Sequence, residues 1–190
     1  MTAEIIEETR DALMEYEKVP IAFLVKSRLR VELCEGGLGG MQLIEEPVAP
    51  YIKDYDQNQS DKPSQWPARW DISHWGILSA YIDGRRVGGA AVAWKTTDLI
   101  MLAAGADTAC LWDLRVAPDW RGKSIGRQLF ARAVAWAQAR HCRRFIVETQ
   151  NINVPACRFY ARQGCELGAI NKYAYDETLK ETQLLWYRKV

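Results

Sequence analysis

The chain has 190 residues, 48% hydrophobic and 26% charged, with a formal net charge of +1; this fits a single globular domain over 1–190 and argues against a general nucleic-acid binder. The start MTAEIIEETR is acidic and lacks the basic, apolar, small-residue order of an export signal, and no apolar run approaches the roughly 18 residues needed to span a bilayer, so a cytoplasmic protein without a membrane anchor is expected. Five cysteines, an odd number with no C-x-x-C pair and no histidine-rich partner segment, predict small buried residues in a reducing compartment and no zinc site.

In chain order, residues 4–16 place Ile5, Ile6, Leu13 and Tyr16 among charges and predict a short helix. Residues 21–33 alternate and are rich in branched side chains, a strand stopped by the glycines of EGGLGG; a second short strand is expected at 41–44. The polar stretch DYDQNQSDKPSQWPARWD, broken by Pro63 and Pro67, predicts a long surface loop. WGILSAYIDGRRVGGAAVAWKT predicts a hairpin turning at Asp83-Gly84, a pair that tolerates positive φ. A strand follows over 110–117, stopped by Pro118. Ile125, Leu129, Ala133 and Trp136 then recur at steps of four, four and three and predict an amphipathic helix over 124–140. A strand at 144–150 precedes a helix at 154–163 capped by Asn153, with Pro155 in its first turn and Gly164 at its end. Strands at 166–173 and 183–188 complete a mixed α/β chain, and the last of them is a candidate for pairing across a homodimer.

Charge is uneven: from Arg115 to Arg144 there are eight Lys or Arg against one acid, Asp119. Within that block, DLRVAPDWRGKSIGRQL takes a strand through Arg121, Gly122, Lys123, Ser124, Ile125 and Gly126 into a helix. Backbone N–H groups at a helix start lack intrahelical partners and the helix dipole favours anions there, so the turn is a phosphate cradle. A nucleoside-triphosphate loop needs G-x-x-x-x-G-K-[ST]; Gly122-Lys123-Ser124 supplies its second half, but Ala117, Pro118 and Trp120 do not supply the first. The turn resembles instead the [QR]-x-x-G-x-[GA] pyrophosphate loop of the GNAT acetyltransferase superfamily, with Ser124 at the middle glycine. Downstream, Asn153-x-x-Ala156-x-x-Phe159-Tyr160-x-x-x-Gly164 resembles the second signature of that superfamily.

LWDLRVAPDWRGKSIGRQL, VETQNINVPACRFYARQGCELGAINKYAY and LLWYRKV further resemble the streptothricin acetyltransferases within it, with ETQ-x-I-N as the discriminating stretch. The resemblance implies a mostly antiparallel central sheet of about seven strands flanked by helices, splayed between its fourth and fifth strands. It also implies acetyl-coenzyme A (acetyl-CoA) as cofactor and a primary amine of a small cationic antibiotic as acceptor. It places the backbone of Leu114 and Val116 against pantetheine, Asn153 against coenzyme A and Tyr160 as general acid. Because an alkyl ammonium has a pKa near ~10, a carboxylate is needed at the reacting end, and Asp113 and Glu148 are the candidates. Strand alternation puts Asp113 and Arg115 on one face. Trp66, Trp70, Trp75 and Trp112 are candidates for packing or for a cation-binding face. A protein N-terminus, a lysine or a polyamine remain alternative acceptors, and a non-catalytic acyl-CoA sensor an alternative role.

Overall fold

The computed structural model describes residues 2–96, 99, 105 and 107–190. The described strands are β1 (Glu4–Glu8), β2 (Phe23–Leu33), β3 (Met41–Lys53), β4 (Gly76–Ile82), β5 (Arg85–Trp94), β6 (Thr108–Val116), β7 (Arg144–Gln150), β8 (Glu166–Asn171) and β9 (Gln183–Lys189). The α-helices are α1 (Leu13–Tyr16), α2 (Trp66–Arg69), α3 (Ile125–Gln138) and α4 (Val154–Arg162). Seven strands form one sheet in the order β1-β4-β5-β6-β7-β9-β8, and β2 and β3 form a separate ribbon. Every pairing with a described register is antiparallel except β6 with β7. The chain divides into two compact units, one of Met1–Ala22, Asp54–Val147 and Arg188–Val190, the other of Phe23–Lys53 and Glu148–Tyr187.

In the first unit, α3 packs across β4, β5 and β6, and the single turn α1 meets β5. Helix α3 buries Ile125, Leu129, Phe130, Ala133, Val134, Trp136 and Ala137, the stripe expected from their spacing. The hairpin turn has φ of 48° at Asp83 and 73° at Gly84, the left-handed pair that a two-residue turn between right-twisted strands requires. Two adjacent glycines set how near the flanking layers come. A side chain on Gly88 would meet Leu129 and Ile125 of α3, whereas one on Gly89 would lie 2.2 Å from the Tyr16 ring on the opposite face.

Residues 4–16 depart from the expected helix. Glu4–Glu8 is an edge strand paired with β4, followed by a 3₁₀ turn at Arg10–Ala12 and the single turn α1. The acids that suggested a solvated helix face are used in the strand: Glu7 accepts from Trp136 Nε1 at 2.7 Å, and Glu8 accepts from Tyr81 and Arg86. The 54–75 segment is also more structured than a surface loop. It holds 3₁₀ turns at Gln59–Asp61 and Pro63–Gln65 and then α2; it buries Pro63, and it places Trp66 in the cluster that contains Tyr16 and Trp75.

In the second unit, β3 runs for 13 residues rather than the four expected. Pro47 and Pro50 are tolerated because the register breaks there, between Val25↔Tyr51 and Ser27↔Pro47, and a bulge spares a proline the ladder bond it cannot donate. Asn151 joins the parts of this unit. Its backbone N–H donates to Thr182 O at 2.9 Å and its Oδ1 accepts from Thr182 N at 2.8 Å, while Nδ2 donates to Leu29 O at 2.9 Å and its own carbonyl accepts from Leu29 N. Strand β9, a candidate for pairing between subunits, lies inside the sheet between β7 and β8, so its edges are already taken.

Candidate active site

The 121–126 turn joins β6 to α3 through a 3₁₀ turn at Pro118–Trp120. Gly122 has φ of 76° and Ser124 φ of 66°. Ser124, at the pattern's middle glycine, starts the helix in the left-handed conformation, with no side-chain capping bond. The residue at the pattern's middle glycine thus keeps the glycine backbone shape, at a cost of roughly 1–2 kcal/mol for a side chain in that region. Arg121 turns back on its own strand: Nε donates to Val116 O at 2.9 Å and Nη2 to Pro20 O at 3.2 Å, which fixes the loop while leaving its start exposed. Lys123 Nζ lies 4.7 Å from the centre of the Trp120 ring. Left-handed residues on either side of Lys123 and the free first turn of a 14-residue helix form an exposed, cationic nest.

A bulge shapes β6. Asp113 pairs with Ala91 and Leu111 with Val92, so Trp112 has no opposite residue of its own. The extra residue shifts the alternation, so that Trp112 above the bulge and Asp113 and Arg115 below it address the same face. There Arg115, 2% exposed, donates from Nε to Asp113 Oδ1 at 2.9 Å and from Nη2 to Oδ2 at 2.6 Å. Its Nη1 reaches Asp56 Oδ2 at 2.8 Å and Val19 O at 3.1 Å. The Tyr16 hydroxyl donates to Asp113 Oδ1 at 2.6 Å. Burial, reinforced by the Asp113 charge, pushes the Tyr16 phenol well above its ordinary range and keeps it a donor. Burial alone disfavours the Arg115 cation, but Asp113 outweighs it and raises the guanidinium above its usual value. Burial likewise pushes the Asp56 carboxyl up, against the pull of Arg115. Both oxygens of Asp113 are therefore committed to internal partners. Of the tryptophans, Trp66 and Trp75 are buried, and the half-buried Trp70 and Trp112 meet edge to face at 4.8 Å.

On β7 the ladder with β6 runs from Thr108↔Arg144 to Leu111↔Val147. Beyond it, Glu148 Oε1 accepts from the Tyr175 hydroxyl at 2.5 Å and Oε2 from Gln183 Nε2 at 2.8 Å. Thr149 Oγ1 accepts from Trp186 Nε1 at 2.9 Å, and Gln150 Nε2 donates to the Tyr175 oxygen at 3.0 Å. Asn153 caps α4 as expected, its Oδ1 accepting from Ala156 N at 3.2 Å, and Gly164 closes the helix with φ of 78°. Tyr160 is 7% exposed on α4, its ring 5.1 Å from that of Phe159.

Residues 41–165 match the acetyltransferase (GNAT) family. The chain belongs to the GNAT acetyltransferase family. Over 169 residues it is 30% identical to the streptothricin acetyltransferase of Escherichia coli, a match covering 87% of this chain and 84% of that protein. It is 37% identical over 83 residues to streptothricin acetyltransferase A of Bacillus subtilis, there spanning 43% of this chain and only about half, 48%, of the relative. A structure of nourseothricin acetyltransferase shares the fold, with a TM-score of 0.76 at 23% identity over 100% of this chain and 99% of the other. For a GNAT protein the exposed nest at 121–126 suits an anionic cofactor: Gly122 has open space where a side chain would point, and Arg121 and Lys123 carry the charge.

The structure keeps the expected loop Arg121, Gly122, Lys123, Ser124, Ile125 and Gly126 contiguous with Leu114 and Val116 in the first unit, and Glu148, Asn153 and Tyr160 in the second. Sequence reasoning missed Tyr175, Gln183 and Asn151. Asn151 stood at the unspecified position of ETQ-x-I-N, and its partners Leu29 and Thr182 lie 122 and 31 residues away, so the local pattern did not mark it. Tyr175 ends a stretch quoted for the family resemblance, but nothing in the sequence ties it or Gln183 to Glu148, 27 and 35 residues earlier.

Proposed function

We propose that the chain, acting as one domain over 1–190, transfers the acetyl group of acetyl-CoA to a primary amine of a small cationic acceptor of the streptothricin type. The observation that carries this reading is the backbone of the 121–126 turn, whose left-handed residues and exposed helix start match pyrophosphate binding. The acceptor is drawn from the relatives, which are streptothricin acetyltransferases. Acetyl-CoA supplies the acetyl group already activated as a thioester. Arg121, Lys123 and the N–H groups of Gly122, Ser124, Ile125 and Gly126 hold its pyrophosphate, and main-chain groups of Leu114 and Val116 orient its pantetheine. Asn153 lies along the coenzyme through the opening turn of α4.

Glu148 removes a proton from the acceptor's ammonium, leaving a nitrogen lone pair free to attack the acetyl carbon. A new N–C bond forms as the C–S bond breaks, a backbone N–H near Val116 stabilises the developing oxyanion, the Tyr160 hydroxyl gives its proton to the departing sulfur, and the second proton shed by the acylated nitrogen restores the Tyr160 phenol. Asp113 is assigned a supporting role, because it is buried and ion-paired with the Arg115 guanidinium, whereas Glu148 is half-buried and accepts from neutral donors. The half-buried rings of Trp70 and Trp112 are of the kind that hold an organic cation.

Release of free coenzyme A from acetyl-CoA, followed with streptothricin, polyamines, lysine and a peptide panel, tests the reading. Rapid release with streptothricin is expected, and Glu148→Gln lowers its kcat/KM by roughly 10²- to 10⁴-fold, the usual range for a lost general base. Acetyl-CoA affinity stays as in the wild type. Release with peptides alone would replace the acceptor, and unchanged turnover of Glu148→Gln would remove Glu148 from the chemistry.

A further inference from the structure

Glu148 is held by residues that neither GNAT signature contains. Tyr175, from the segment joining β8 to β9, donates to its Oε1 at 2.5 Å, and Gln183, the first residue of β9, donates to Oε2 at 2.8 Å. The Tyr175 oxygen accepts from Gln150 Nε2 at 3.0 Å. All four residues lie in the same compact unit. Glu148 and Gln150 are two apart on β7 and share a face, so the phenol is fixed from two points on one strand. The terminal torsion of a glutamate is broad by itself. A donor on each oxygen removes that freedom and sets the plane of the carboxylate. The bond from Gln150 also polarises the phenol toward donation, since linked hydrogen bonds strengthen one another.

We propose that Tyr175, oriented by Gln150, is a positioning residue of the acetyl-transfer site: it holds the Glu148 carboxylate in one orientation, with the remaining lone pairs directed to the acceptor's ammonium. The proposal rests on the reading of Glu148 as proton acceptor. Tyr175 itself neither gains nor loses a proton in the reaction. Without its hydroxyl the carboxylate rotates, and proton removal is slowed while the coenzyme site is untouched.

The test is a double-mutant cycle of wild type, Tyr175→Phe, Glu148→Gln and the double variant, with kcat and both KM values measured for acetyl-CoA and streptothricin. Tyr175→Phe keeps the ring, so its melting temperature stays near that of the wild type. It is expected to lower kcat roughly tenfold, the size of one hydrogen bond to a charged group, with the acetyl-CoA KM unchanged. In the Glu148→Gln background the same substitution changes kcat less than about twofold, because the group it positions is gone. Wild-type kcat in Tyr175→Phe, with Glu148→Gln slow, overturns the proposal and leaves the Glu148 reading standing. An equal loss in both backgrounds overturns it as well, since Tyr175 then acts independently of Glu148. Wild-type turnover in Glu148→Gln, or no turnover on any amine, overturns both.

Discussion

Asp113 is shared by a guanidinium and a phenol, and this geometry decides what its removal does. Arg115 is almost fully buried, so a lost partner leaves a cation balanced, among the described residues, by Asp56, the Val19 carbonyl and the Tyr16 ring. Breaking a buried pair by deleting one member costs several kcal/mol, more than a surface pair contributes. Asp113→Ala is therefore expected to lower the unfolding free energy by about 3 kcal/mol, measured by urea denaturation, with acetyl-CoA affinity retained in the folded fraction. A proton-accepting role would show the reverse pattern, an unchanged unfolding midpoint and lost turnover. The sequence placed Asp113 and Arg115 on one face through strand alternation alone. It did not reveal that the carboxylate is saturated, because Tyr16 lies 97 residues away and Asp56 sits in a segment expected to be a solvated loop.

At the scale of elements, legibility follows the range of the interactions that fix each one. The Asp83-Gly84 hairpin, the α3 stripe and the Asn153 cap are settled by neighbours a few residues apart, and they stand where the sequence put them. Strand β1 is settled by its ladder with β4, 69 to 77 residues on, and that ladder overrides the local pattern of residues 4–16. Its last residue makes the pairing pH-sensitive. Burial works to raise the Glu8 carboxyl, but hydrogen bonds from Arg86, Ser79 and Tyr81 hold it below the ordinary glutamate range. A depressed folded-state pKa means that the unfolded chain takes up the proton first. The contribution of Glu8 is thus complete above about pH 4.5 and is lost as pH falls below it through the folded value. Urea unfolding of wild type and Glu8→Gln across pH 3 to 7 should show the two curves converging toward acid, with the wild type more stable at neutral pH. Parallel curves would mean that the Glu8–Arg86 pair carries no linkage.

For the molecule as a whole, the family match over residues 41–165 runs through both compact units. Neither unit holds a continuous stretch of chain, so the two signatures legible in the sequence belong to different units: the cradle at 121–126 in one, Asn153 and Tyr160 in the other. The sequence gives their order and spacing, while side chains that fix Glu148 come from the last fifth of the chain. A cofactor that engages the cradle binds the folded chain and not the unfolded one, so it must raise stability by mass action. At acetyl-CoA a hundredfold above Kd the gain is about 2.7 kcal/mol, or roughly 5–10 °C in melting temperature for a chain of this size. The basic block from Arg115 to Arg144 adds a signature of its own. Lys123 is exposed, and its attraction to phosphate is screened by salt. Thermal melts with and without acetyl-CoA at low and at roughly molar ionic strength should therefore show a smaller shift in high salt. Lys123→Gln should reduce the low-salt shift and flatten that dependence. A shift of wild-type size and salt dependence in Lys123→Gln would place the pyrophosphate on the backbone nest alone, with the lysine as a solvated bystander over Trp120.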